Sequence, residues 1–246
     1  MGGRGNKLQR PLADEPLLLH TLRVLQASPE IRWILVAARP EDRAGISAII
    51  RRGRITKALP PVAGGASRGE SVACAFGAVP ARAAYVLVHD GARPCLTPAL
   101  VSRAVREAAR HGAAVCGLPA AVTVKEVDQE RRVRVTLDRD RLWFVQTPQV
   151  FRRDWFAQAL DRTGFGRAGG NGHAAAALQQ FPDDASLLEA AGFAVRMVPG
   201  DAFNIKVTTP EDLVLAEAIL KFRAKGPSAI SRQRSARARP SLKADS

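Results

Sequence analysis

An acid and an arginine three positions apart, Asp90 and Arg93, follow directly on the apolar run Tyr85–Val88 in YVLVHDGARP. The run is bounded by polar and turn residues and reads as a strand buried on both faces, as in the middle of a parallel sheet. Ligands of open α/β sheets bind just beyond the carboxyl ends of such strands. A carboxylate and a guanidinium delivered there are placed to handle a metal ion and a phosphate. The same letters fit an Asp90 that caps the next helix and a solvated Arg93, and this stretch alone leaves both readings open. Two further stretches carry related chemistry. Met1–Gln9, MGGRGNKLQ, joins phosphate-accommodating glycines to the charges of Arg4 and Lys7, although a floppy N-terminus accounts for it equally. Gly64–Val72, GGASRGESV, sets two glycines before Arg68 and Ser71, where free N–H groups can bond a base or a phosphate. A tight turn with a helix cap explains those letters too, and taken alone is the simpler account.

Alternating strands and helices must position these groups. Pro16 opens a helix with an apolar stripe at Leu18, Leu19, Leu22 and Leu25. Ile31–Ala37 is predicted as a strand, Glu41–Arg51 as a helix, and Ile55–Val62 as a weaker, proline-containing strand near an edge. The helix after GGASRGESV runs to about Ala78. Pro98–His111 is predicted as a helix and Ala113–Leu118 as a strand. Val122–Val127 and Arg132–Leu137 alternate in β fashion around a polar turn and read as a hairpin. A two-stranded ribbon is marginal alone, and a second subunit is the economical partner. Trp143–Gln149 returns to the sheet, and Gly164–Ala177 reads as a loop. Asp183–Ala191 is predicted as a helix capped by Asp183 or Asp184, Phe193–Val198 as a strand, and Pro210–Leu220 as a final amphipathic helix. The pattern implies a doubly wound, mostly parallel α/β sheet with the hairpin inserted.

Composition narrows the function classes. The chain has 246 residues, 46% of them hydrophobic, enough for one sizeable core. No apolar run suits a membrane span and no signal-peptide pattern is apparent, so a cytoplasmic protein is expected. Cys74, Cys95 and Cys116 fit neither a disulfide framework nor a zinc site. The net charge of +14 points to an anionic partner, but residues 221–246 alone supply +7 in a Ser/Ala/Pro-rich context. That stretch reads as a basic, disordered tail, with weak salt-sensitive nucleic-acid binding as its secondary potential.

In sequence order, NKLQRPL-x3-PLLLHTL, GGASRGESV, VHDGARP, the Thr123–Lys125 segment TVK, LDRDRLW, QTPQVF, DDASLLE and NIKVTTPEDL resemble the 2-C-methyl-D-erythritol 4-phosphate cytidylyltransferase family of non-mevalonate isoprenoid biosynthesis. Each motif is unremarkable alone; eight in this order are specific. The resemblance implies a nucleotidyltransferase-type sheet over residues 1–220, with a β-arm at about 120–140 that clasps a second copy in a homodimer. It implies transfer of CMP from CTP to methylerythritol phosphate, with Mg2+ or another divalent cation. By the same resemblance, Lys7, Arg139 and Lys206 are catalytic. Gly65, Arg68 and Ser71 cradle cytosine and ribose, while Asp90 lies near the metal and ribose and Arg93 near the substrate. Thr123 and Arg139 reach the methylerythritol phosphate from the neighbouring arm, and Thr147 lines that pocket with Lys206.

Departures from the family pattern accompany the match. The family begins with a strand and an AAGxGxR turn that wraps the triphosphate, and Met1 aligns just after that arginine; a slot of unpaired backbone groups is the expectation. Ala66 stands where an acid is common, Pro182 replaces a threonine, and Phe203 stands where some members have aspartate. Alternatives are a ribitol-5-phosphate cytidylyltransferase, a truncated inactive homologue, and a basic binding protein acting through the tail.

Overall fold

The computed structural model describes residues 6–162 and 181–225. Arg4, the Gly164–Ala177 loop and the tail from 226 lie outside the described residues.

Four strands form the central sheet: β5 (Tyr85–Val88), β6 (Ala113–Pro119), β9 (Trp143–Arg152) and β10 (Arg196–Pro199), in the order β10-β6-β9-β5. Strand β10 is parallel to β6, while β9 runs antiparallel to both β6 and β5. Three of the four therefore point the same way, and their carboxyl ends share one rim. Side-chain alternation divides the core. Ala114 and Cys116 of β6, with Val150 of β9, face one layer; Ala113 and Val115, with Phe151, face the other.

The first layer is filled by α1 (Leu17–Ala27), α2 (Arg43–Arg52) and α4 (Pro98–His111). The leucine stripe of α1 is buried as its spacing predicts, Leu18, Leu19, Leu22 and Leu25 all lying inside. Helix α4 keeps its predicted ends: Thr97 caps it by accepting from Leu100 N, and Gly112 takes φ +87° beyond the last turn. The second layer holds α5 (Arg153–Arg162) and α6 (Asp184–Ala190), with α3 (Arg68–Gly77) against its edge. A third cluster seats α7 (Pro210–Lys225) on Leu12, Leu17 and Cys95. Helices on both faces of the sheet give the doubly wound architecture that the pattern implied.

Several local expectations change. Strand β5 is not central among the described residues; it pairs only with β9, antiparallel, and Val86 alone of its four residues is fully buried. Ile31–Ala37 and Ile55–Val62 shrink to a two-residue parallel pair, β3 (Ala37–Ala38) and β4 (Val62–Ala63), plus a bridge between Ile34 and Ala58. Pro60 and Pro61 have no N–H to donate, which interrupts that ladder. Among the described residues, β3 and β4 pair only with each other. The final helix runs past Leu220 to Lys225 and is less amphipathic than expected, leaving Val214 and Leu215 exposed. A small antiparallel pair, β1 (Pro11–Leu12) with β2 (Glu15–Pro16), precedes α1.

The predicted hairpin is present as β7 (Val124–Val127) and β8 (Val133–Leu137). Asp128 closes its turn by accepting from Arg132 N at 2.9 Å. Val122, Val127, Val133 and Val135 are exposed along it, as are Phe144 and Val145 at its root.

Candidate active site

Strand β5 ends at Val88, and His89 and Asp90 leave the sheet at its carboxyl rim. The Asp90 side chain is 14% exposed and three cations meet it. Lys206 Nζ lies 3.1 Å from Oδ2, Arg93 Nε 3.4 Å from Oδ2, and Arg68 Nε 3.5 Å from Oδ1. Burial alone would raise the Asp90 pKa; Lys206, Arg68 and Arg93 overturn that and hold the carboxyl below its ordinary value. Neither bland reading of this stretch survives. Thr97 caps α4, Asp90 instead accepts Arg93 N through its carbonyl at 3.0 Å, and Arg93 is buried.

Each cation is aimed by its own element. Arg93 Nη1 donates to the carbonyl of Asn204 at 2.8 Å, and Val207 N donates to Ala92 O at 2.8 Å. These bonds tie the Asn204–Thr208 segment to the Asp90 turn and carry Lys206 to it. Lys7 follows Asn6, whose side chain caps a short 3-10 turn, and its Nζ reaches the Val207 carbonyl at 3.4 Å. Lys7 and Lys206, far apart in the sequence, thus meet at the Asn204–Thr208 segment. Arg68 opens α3, where Ser67 and Glu70 form a full capping box. Gly65 is required there, because a β-carbon on it would lie 2.2 Å from Glu70 Cβ. Ala66, at the position where an acid is common in the family, donates its N–H to Glu70 Oε2 at 2.5 Å. Ser71 Oγ turns back to the Ser67 carbonyl at 2.9 Å.

Beneath these groups lies a polar layer that sequence reasoning missed in part. Thr147, which precedes the cis-bonded Pro148, is 4% exposed. Its hydroxyl accepts from Asp90 N at 3.1 Å and pairs with His89 Nδ1 at 2.9 Å, so it holds the turn rather than facing the pocket. Burial drives the His89 pKa down to about 4, leaving a neutral ring to take that bond. Asn204 Nδ2 donates to the Thr147 carbonyl at 2.7 Å. Asp184 accepts from Arg68 Nη2 at 2.7 Å, and neighbouring Asp183 caps α6 and accepts from Gln149 Nε2 at 2.9 Å. Burial pushes the Asp184 carboxyl up against the pull of Arg68; Arg68 cannot release its proton, and the charge-assisted bond marks an ionised pair. His89, Asp184 and Asn204 all lie inside the family motifs; burial singles out Asp184 and Asn204, and the bond to Thr147 singles out His89.

Arg68, Asp90, Arg93 and Lys206 therefore meet at one rim, with Lys7 beside them on Val207, Gly65 and Ser71 in the turn that opens α3, and Thr147 beneath. Thr123 and Arg139 do not join them within one copy. Both belong to the arm region, where Arg139 Nη1 donates to Ala121 O at 3.3 Å and Thr123 is exposed. No group of three or more metal-ligating side chains occurs among the described residues. Asp90 is the carboxylate at the cation cluster, and Mg2+ sites of the kind that use one or two carboxylates complete their shell with substrate phosphates and water.

The model of the family described as 2-C-methyl-D-erythritol 4-phosphate cytidylyltransferase matches residues 1–222. A relative of that name from Syntrophus aciditrophicus is 39% identical, over 89% of this chain and 93% of its own. One from Gloeobacter violaceus is 38% identical, over 90% and 91% respectively. A solved 4-diphosphocytidyl-2C-methyl-D-erythritol synthase from Anaerococcus prevotii superposes with a TM-score of 0.75 at 26% identity, covering 88% of this chain and 94% of that one. A solved 2-C-methyl-D-erythritol 4-phosphate cytidylyltransferase from Thermus thermophilus gives 0.66 at 33% identity with the same coverage.

Proposed function

The chain belongs to the 2-C-methyl-D-erythritol 4-phosphate cytidylyltransferase family, and from that premise we propose how its residues serve the reaction. The enzyme transfers CMP from CTP to 2-C-methyl-D-erythritol 4-phosphate, giving the CDP-alcohol and pyrophosphate. A substrate phosphate oxygen attacks the α-phosphorus of CTP. The bond from that phosphorus to the β-phosphate bridge breaks as the new one forms, and pyrophosphate leaves. Such a displacement depends on positioning and on neutralising charge, which lysines and arginines supply.

The observation that carries this reading is the meeting of Lys206, Arg93 and Arg68 on Asp90 at the carboxyl rim, with Lys7 one residue away on Val207. Lys206 orients the attacking phosphate. Lys7 offsets charge growing on the triphosphate, and Arg93 lies beside the substrate. The Gly65–Ser71 turn cradles the cytidine. Asp90 holds the cations in register and would hold a divalent ion, Mg2+ in our assignment. Bound there, the ion would neutralise phosphate charge. Thr123 and Arg139 act from the arm of a second copy, and the exposed apolar residues of the arm support a homodimer.

The catalytic unit spans about residues 1–225, five beyond the expected boundary, because α7 continues to Lys225 and Arg223 pairs with Asp201. No described helix is long and apolar enough to cross a membrane. A cytoplasmic location is part of this proposal. The named relatives favour methylerythritol phosphate over ribitol 5-phosphate.

The test is pyrophosphate release by the purified chain 1–246 with CTP and each of the two alcohol phosphates. Release with methylerythritol phosphate is expected. Release with ribitol 5-phosphate alone, or none with either, would overturn the reading.

A further inference from the structure

Asp184 has no role in the scheme above, yet it is among the most buried charged groups near the site. We propose that Asp184 is a positioning residue, which holds the Arg68 guanidinium between two carboxylates across the nucleotide pocket, so that it is not drawn wholly onto Asp90. The proposal rests on the Gly65–Ser71 turn being the cytidine nucleotide cradle.

The geometry is a fork between two carboxylates. Arg68 Nη2 sits 2.7 Å from Asp184 Oδ2, whereas Nε stands 3.5 Å from Asp90 Oδ1. The Asp184 side chain is 5% exposed and the Arg68 side chain 37%, so one end of the pair is anchored and the other faces solvent. The anchor is itself held. Asp183 Oδ1 accepts from Ser186 N at 2.9 Å and Oδ2 from Gln149 Nε2 at 2.9 Å, while Gln149 Oε1 accepts from Ala185 N at 3.1 Å. Two bonds thus bolt the start of α6 to β9, and Asp184 has little freedom to follow Arg68.

Without that anchor, Arg68 would have Asp90 as its single carboxylate partner. It would compete there with Lys206 and Arg93, which already hold Oδ2 at 3.1 and 3.4 Å. The exposed N–H groups of Arg68 would then turn away from an incoming cytidine nucleotide. A planar fork serves two acceptors at fixed angles, which explains an arginine rather than a lysine at the first position of α3.

A double-mutant cycle on the full chain tests this, with CTP affinity read by calorimetry and folding by thermal melting. Asp184→Asn keeps the shape and removes the charge; it should weaken CTP binding about tenfold. Arg68→Gln should weaken it at least as much and should melt lower, because it leaves a buried carboxylate unpaired. The double variant should bind no more weakly than Arg68→Gln and should melt above it. Where Arg68→Gln does not fold, the double variant, which leaves no buried carboxylate unpaired, is compared with Asp184→Asn, and equal CTP affinity in the two is expected. Unchanged CTP binding in Asp184→Asn, or two losses that multiply in the double variant, would overturn the role. A wild-type chain that binds no CTP at all would instead remove the functional reading on which the role rests.

Discussion

Lys206 Nζ and Asp90 Oδ2 stand 3.1 Å apart, joining the segment before the last helix to the turn after β5. Their contact makes the site depend on two distant stretches arriving together. Lys206→Ala removes the cation assigned to the attacking phosphate. We expect kcat to fall about 10²- to 10³-fold, as when one charge-stabilising group is lost, with the fold retained because Arg93 and Arg68 still pair Asp90. Steady-state pyrophosphate assays with melting curves check both parts.

Asp90 links that cluster to acid stability. Its folded pKa is depressed, so its contribution is fully present above the unfolded carboxylate value and is lost as pH falls through the folded one. Asp90→Asn should lower stability at neutral pH and flatten the acid limb of a melting-temperature profile. An unchanged acid limb would refute the assignment.

His89 acts in a different window. Its folded pKa is about 4 against an ordinary 6.5, so between those values the unfolded chain binds the extra proton. Stability therefore rises with pH from about 4 to 6.5, by up to about 3 kcal/mol from this ring. His89→Gln should remove that slope, as denaturant titrations at several pH values would reveal.

The Gly65–Ser71 turn, assigned to the cytidine, is a packing problem as well as a binding one. At Gly65 an added methyl meets Glu70 Cβ at 2.2 Å, inside the capping box of α3. Gly65→Ala should cost about 1–3 kcal/mol and weaken CTP binding as the turn shifts. Ser67→Ala, which removes only the cap, should cost about 1 kcal/mol. Comparing the two separates a displaced turn from a merely frayed helix.

The arm carries the dimer prediction. Val133 and Phe144 are exposed in one copy. Val133→Lys with Phe144→Asp should leave the melting of the single chain within a few degrees but shift sedimentation toward monomer. Activity should fall with dimer content if Thr123 and Arg139 serve a neighbour's pocket.

Much of this was readable from local chemistry. The leucine stripe of α1, the Thr97 and Gly112 ends of α4, the capping box at Ser67 and the hairpin turn at Asp128 are decided within a few residues. Their signals are periodicity, capping and turn geometry, and all survive folding unchanged. The motif order likewise identified the family without coordinates. Strand pairing was another matter. Tyr85–Val88 is apolar enough for the centre of a sheet, but which strand lies beside it depends on β9 returning from far downstream. The segments around Ile34 and Ala58 looked like full strands, yet the prolines beside them withhold donors and only short ladders form.

The amino-acid order alone nominated the cations and the carboxylate assigned to the site, because residue type and motif context define what each group can do. Folding decided their allegiances. Thr147 turned inward to hold the Asp90 turn, and Asp184, unassigned from sequence, became the partner of Arg68. Burial is a collective property of the packed layers, and it is burial that turns a polar residue from a solvated surface group into one that must find a partner.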